Sequence, residues 1–199
     1  VVAEAETLAA KFNITAASLA SVGEGLRFDS LANVENLNTY GAELARVNLR
    51  LARSGVGSND QAALLDQRDN LLEKMSAFAS LDTKFASDGT VAVAIGPTPG
   101  TAFVNGGTVG TMTSTVGADG TLSFAIDGQA ITPGSGSLTG AALALSDLAA
   151  IQTRLDDAAN AIATTMNAAQ MNGAALDGSA GQPMFSGSTA STLSVVLTS

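Results

Sequence analysis

The spacing of apolar residues changes period twice along this chain, and a change of period is a change of secondary structure. Val1, Ala5, Leu8, Phe12, Leu19 and Val22 recur at alternating four- and three-residue steps with one seven-residue gap, the spacing of a coiled-coil-like helical seam. "GEGLRFDS" interrupts with two glycines and offers Asp29 or Ser30 as an N-cap, which predicts a break and a second helix. That helix continues the seam through Leu31, Val34, Leu37, Gly41, Leu44, Asn48 and Leu51. It stops near "RSGVGSND", where Gly55 and Gly57 supply helix-ending chemistry and Ser58, Asn59 or Asp60 can cap a third helix.

From Asp88 to about Gly136 the period falls to two. "TVAVAI" and "TLSFAI" alternate, with "NGG", "ADG" and "IDG" as turn signals between runs. Pro97, Pro99 and Pro133 fall in connections, where a missing N–H does no harm. From Ser137 the helical period returns on a face of Leu148, Ile151, Leu155, Ala159, Ile162, Met166 and Ala169. The Ala content of this helix suits close approach to a neighbour. A Gly- and Ser-rich end reads as loop with a short terminal strand or helix, and no internal repeat stands out.

The fold class is therefore α+β, mainly α: an elongated antiparallel helical bundle, coiled-coil-like, with an inserted small antiparallel β domain. The expected parts are a helical rod over 1–86, the β insert over 87–136, a returning helix over 137–178 and a C-terminal segment over 179–199.

Composition narrows the chemistry. With no Cys, His or Trp, thiol nucleophiles, imidazole bases and nearly all zinc or copper sites are excluded. A net charge of −9 with 9 Lys plus Arg argues against phosphate backbones and anionic membranes, which need a concentrated positive surface. No apolar run reaches the ~20 residues of a spanning helix, and the acidic start at Glu4 and Glu6 is no ordinary signal peptide. The missing initiator Met and the patterned ends read as a piece of something longer.

One stretch, "LLDQRDNLLEKM" from Leu64 to Met75, sets charges in a leucine-rich run. On a helical wheel with Leu64 at zero, Arg68 falls at about 40°, inside the apolar stripe, while Asp69 and Asp66 fall at about 140° and about 200°. A guanidinium under a helix interface needs a carboxylate or carbonyl partner. Asp156 and Asp157 on the returning helix, and Glu35 or Glu43 on the second, are the candidates for a structural clamp. As a metal or acid–base pair, Asp66 and Asp69 are weaker, because Arg68 stands between them and no His assists. No catalytic, metal or cofactor-binding residue is assigned.

Asn48 reads as a buried register-setting polar residue or a solvent-facing one, and the register role is preferred. "NIT" at Asn13 to Thr15 matches a glycosylation acceptor by chance within a helix. "DGTVAVAIG" and the later "DGT" resemble calcium-loop fragments without the acidic ladder, so they read as hairpin turns. Ser and Thr residues around Thr108 to Thr115 fit a solvated strand face as well as a sugar-binding one.

"NTYGAELARVNLRLARSG" followed by "NDQAALLDQRDNLLEKMS" resembles the flagellar hook-associated protein 1 family, FlgK. Asp66, Gln67, Arg68 and Asp69 stand in its L-D-Q-R-D motif. "GSLTGAALALSDLAAIQTRLDDAANAIATTMNAAQMNGAALDG" is similar to the family's G-x-L-x-G helix and the segments after it, and Phe185 in "GQPMF" takes the place of a following lone aromatic. The likeness covers about residues 1 to 187. It departs at "NAAQMNG", where the family often carries a His, and in a short β module.

The resemblance implies a rod-like helical domain with a small outward β domain, the polymerising terminal segments lying outside this sequence. It implies a non-enzymatic, extracellular part of the bacterial flagellum, exported without a cleaved signal peptide, with no cofactor. Its implied role is an adaptor ring at the hook–filament junction. The implied partners are hook protein, the next hook-associated or filament subunits, further copies of itself and an export chaperone, with no nucleic acid and no membrane insertion. The alternatives are another flagellar axial subunit, filament or hook-associated protein 3-like, and a secreted glycan-binding module.

Overall fold

The computed structural model describes residues 1–54, 58–174 and 178–197. Three helices, α1 (Val2–Leu51), α2 (Asn59–Ser76) and α3 (Gly136–Met171), dominate it. Seven strands lie between α2 and α3: β1 (Leu81–Phe85), β2 (Val91–Ile95), β3 (Thr101–Asn105), β4 (Thr108–Val109), β5 (Met112–Val116), β6 (Leu122–Ile126) and β7 (Gln129–Ile131). β8 (Phe185–Ser186) and β9 (Ser194–Val195) form a terminal pair. The fold is mainly α with small antiparallel sheets. Two compact units divide it: Val1–Gly25 with Asp147–Ser199, and Leu26–Ser146.

α1 is a single helix, and the expected break at "GEGLRFDS" does not occur. A helix-interior Gly costs only about 1 kcal/mol relative to Ala, and no proline adds to it. Asp29 and Ser30 sit inside the helix rather than capping one, and Ser30 is fully buried. α2 does start at a cap: the Gln61 N–H donates to Ser58 Oγ at 3.1 Å. The expected ending chemistry at Gly55 and Gly57 lies outside the described residues. α2 stops at Ser76, and residues 81–85, read as helix from the sequence, are strand β1. A hairpin turn at Asp88 requires a strand on each side of it.

In the unit Leu26–Ser146 the sheets have the orders β1-β2-β3-β4 and β5-β6-β7. Their leading hairpins are copies of each other. β1 pairs with β2 from Leu81↔Ile95 to Phe85↔Val91, and β5 pairs with β6 from Met112↔Ile126 to Val116↔Leu122. The turns are "SDGTVAVAI" and "ADGTLSFAI", an internal repeat that the sequence reading passed over. In each, Gly89 or Gly120 adopts a positive φ, +85 and +81 respectively, which glycine tolerates without strain.

The core of this unit joins α1 residues Val34, Leu37, Leu44, Val47 and Leu51 to Leu64, Leu71 and Met75 of α2 and to inward strand residues such as Val93, Ile95, Phe103, Phe124 and Ile126. Gly41 gives Phe103 its place, since a Cβ there would come within 2.6 Å of the ring. Tyr40 stacks on Phe78 with centroids 6.1 Å apart.

The unit Val1–Gly25 with Asp147–Ser199 has a separate core of Ala5, Ala9, Ala159, Ala163, Met184, Phe185, Ala190 and Leu193. Alanine on facing helices lets the backbones approach closely. The seam expected on α3 is only partly buried: Leu148 and Ala159 are enclosed, whereas Ile151 and Met166 are exposed. A strict seven-residue repeat drifts around a straight helix, and Ala163, one step from Ile162, takes the inner position.

Candidate functional site

Arg68 is the charged residue that the structure uses most. It lies on the Leu64, Leu71 and Met75 side of α2, with its side chain 13% exposed. Its Nη1 donates to the Gly89 carbonyl at 2.7 Å, and its Nε and Nη2 reach Asp69 Oδ1 at 2.8 and 2.7 Å. The guanidinium also stands 4.9 Å from the centroid of Phe85, within cation–π range. Arg68 therefore fastens the tip of the β1–β2 hairpin to α2.

The partners are a neighbouring carboxylate and a turn carbonyl, not Asp156, Asp157, Glu35 or Glu43. Asp156 is engaged elsewhere, accepting from the Ala190 N–H at 2.7 Å. The pair is half open, because Asp69 is 60% exposed, so solvent screens its ionic part. Asp66 and Gln67 face solvent. A helical wheel carries no sign that a strand turn, rather than another helix, lies over Arg68.

A second set of contacts has a common form. The Asn48 side chain accepts from the Val91 N–H at 3.0 Å and donates to the Val91 carbonyl at 2.8 Å. It also donates to the Gly106 carbonyl at 3.1 Å. Asn38 makes the same two bonds with Met112, at 2.8 and 2.9 Å, and Asn167 with Phe185, at 2.8 and 2.9 Å. Each amide pairs both polar groups of one strand residue, as a neighbouring strand would. Asn13 adds donations to the Ala190 and Leu193 carbonyls at 2.7 and 3.2 Å.

Asn48 is buried and fully bonded; what it fixes is a strand against a helix. Asn38 and Asn167 open two of the stretches quoted from the sequence, "NTYGAELARVNLRLARSG" and "NAAQMNG", but no periodicity assigns them a role. The available signal was their residue type: Asn disfavours a helix interior because its side chain competes for backbone hydrogen bonds, so each such position asks for a partner.

The two D-G-T turns are closed by their own carboxylates. Asp88 Oδ1 accepts from the Thr90 N–H and Oγ1 at 2.9 and 2.7 Å, and Asp119 Oδ1 from those of Thr121 at 3.1 and 2.7 Å. Both carboxyls are held below their ordinary value, Asp88 chiefly by the Thr90 backbone N–H and Asp119 chiefly by the Thr121 hydroxyl. These bonds make them hairpin turns. Among the described residues, no three acidic side chains gather into a metal-sized group, and no helix is long and apolar enough to cross a membrane.

Amides and one arginine holding β segments onto long helices define a class of protein: a helical scaffold domain with a fastened β insert. Over residues 1–185 the sequence matches the helical domain of the flagellar hook-associated protein FlgK, and the chain belongs to that family. The family is one of flagellar structural proteins associated with the hook. The fold is similar to that of the flagellar hook junction protein FlgK from Burkholderia pseudomallei, with a TM-score of 0.80 at 21% identity. The match covers 93% of this chain and 35% of that one, so this chain spans about a third of that protein's length. No curated protein matches the sequence.

Proposed function

We propose that this chain is the scaffold domain of an adaptor ring at the junction between flagellar hook and filament, required for filament assembly. The observation that carries the proposal is family membership across residues 1–185. In this reading the protein is exported without a cleaved signal peptide, works outside the cell and is not an enzyme. Its partners are hook protein, the next hook-associated or filament subunits, further copies of itself and an export chaperone. Absence of Cys suits passage through a secretion channel as an unfolded chain, since no disulfide can form to block it.

The β region acts as an insert between the helical part that precedes it and the helix that returns. Arg68, with Asp69, is a positioning residue that keeps the insert fixed to α2. Phe103 and Phe124, two aromatic residues that a glycan-binding reading would use, are both in the core.

Deleting the parent gene tests the proposal. Electron microscopy of cells and immunoblotting of medium are expected to show bare hooks with filament protein shed outside. Normal filaments on normal hooks would overturn it.

A further inference from the structure

Three of the 9 Lys and Arg residues stand on one stripe at the end of α1. Arg46 and Arg50 are one turn apart, and Arg53 follows in the turn that closes the helix, where its N–H donates to the Arg50 carbonyl at 3.1 Å. Steps of four and three residues keep them on one side, opposite the buried Leu44, Asn48 and Leu51. All three are exposed, and the acid nearest on that side, Glu43, is half-buried one turn before Arg46. Among the described residues none of the three forms an ion pair.

α2, in the same unit, carries the complement. Asp66, Asp69 and Glu73 are exposed on its outer side, opposite Leu64, Leu71 and Met75. Asp66 belongs to the L-D-Q-R-D stretch, yet Arg68 is fastened to Gly89 and Asp69 instead. Asp69 keeps an oxygen for a second guanidinium, since both contacts from Arg68 end on its Oδ1. Taken backward, 73, 69 and 66 step by four and three, as 46, 50 and 53 do taken forward. Two such helices lying antiparallel bring Arg46 to Glu73, Arg50 to Asp69 and Arg53 to Asp66 along about 10 Å of axis.

We infer that these stripes are the two halves of a contact between neighbouring copies: the Arg46, Arg50 and Arg53 stripe of one copy docks antiparallel on the Asp66, Asp69 and Glu73 stripe of the next. The inference rests on the ring reading proposed above and names a surface for it. Charge decides the occupant. A net charge of −9 opposes nucleic-acid phosphates, whereas the outer side of α2 offers carboxylates at the matching steps. A contact between unlike stripes is head-to-tail, the kind that closes into a ring. Exposed ion pairs supply little affinity; an array of them sets register and orientation, because like charges brought together are penalised. Asp66 thereby gains a partner outside its own chain.

The test uses the full-length parent protein in cells. Arg46→Cys and Glu73→Cys are placed on separate copies, co-expressed and oxidised in isolated flagella, and no Cys in these 199 residues competes. A disulfide-linked dimer that requires both variants is expected. Charge reversal supplies the second measurement: Arg46→Glu with Arg53→Glu is expected to lower the number of filament-bearing cells about tenfold, and adding Glu73→Arg with Asp66→Arg to restore it. Asp69 is left alone because it holds Arg68. A purely structural role gives no such rescue, and the cross-link does not depend on the reversed variants folding. Assembled filaments without the cross-link, a cross-link to a different protein, normal filaments on the reversed variant or reversal without rescue would each overturn this contact and leave the ring reading standing. Normal filaments after deletion of the parent gene would overturn both.

Discussion

The two units solve the same packing problem with different side chains. Around Leu26–Ser146 the core is built chiefly from Leu, Val, Ile, Phe and Met gathered from three helices and two sheets. Around Val1–Gly25 with Asp147–Ser199 four of the eight buried core residues that gather are helix alanines, and the bulk comes from Met184, Phe185 and Leu193 of the terminal segment. The first arrangement depends on filling volume and the second on keeping volume out. Yet both attach extended chain to helix in one way, by an Asn amide that pairs the N–H and C=O of a single residue. Cores of different composition can thus share a polar fastening, because that fastening answers the backbone's demand for partners and not the core's demand for volume.

The contrast can be broken from either side. Phe103→Ala removes the ring seated over Gly41 and is expected to cost about 3–5 kcal/mol, measured by urea unfolding, with the loss of amide protection concentrated in Leu26–Ser146. In the alanine-built unit the damaging change has the opposite direction. Ala159→Leu, at a fully buried position, is expected to cost about 3 kcal/mol by overpacking, while Ala159→Gly costs about 1 kcal/mol, its helix propensity.

The fastenings come next in size. Asn48→Ala strands the polar groups of a buried Val91 and should cost about 2 kcal/mol. Asn167→Ala, whose bonds are only partly buried, should cost about 1 kcal/mol. Equal losses at the two sites would show that burial does not set their weight.

The smallest effect is the acid limb. Asp88 and Asp119 have folded-state pKa values lowered from 3.8, so the stability they contribute is complete above the unfolded value and is lost as pH falls through the folded values. The double variant Asp88→Asn with Asp119→Asn is expected to flatten stability against pH below about 4 and to leave it unchanged in shape near neutrality.

Much of this was legible beforehand. The return of the helical period at Ser137 and the alternation in "TVAVAI" and "TLSFAI" fixed helix, sheet and helix in order, because each period has its own geometry. The α2 cap was legible to within three residues, Ser58, Asn59 or Asp60, of which Ser58 is the cap. The continuity of α1 through Gly23 and Gly25 was not, since tertiary packing overrides a propensity difference of about 1 kcal/mol. β1 was hidden because "LDTKF" adjoins a helix and carries polar residues, although the D-G-T turn after it implied a strand. At the candidate site, periodicity showed that Arg68 points inward, whereas its partners depend on a hairpin docking onto α2, a long-range fact that no local pattern encodes.

Helix-borne amides take the place of strand partners in both units. Amide hydrogen exchange at Val91, Met112 and Phe185 tests it most directly. Slow exchange is expected at all three, with Asn48→Ala, Asn38→Ala and Asn167→Ala each releasing its own amide and leaving the other two protected. Rapid exchange at these amides in the unsubstituted chain, or a variant that releases all three together, would contradict it.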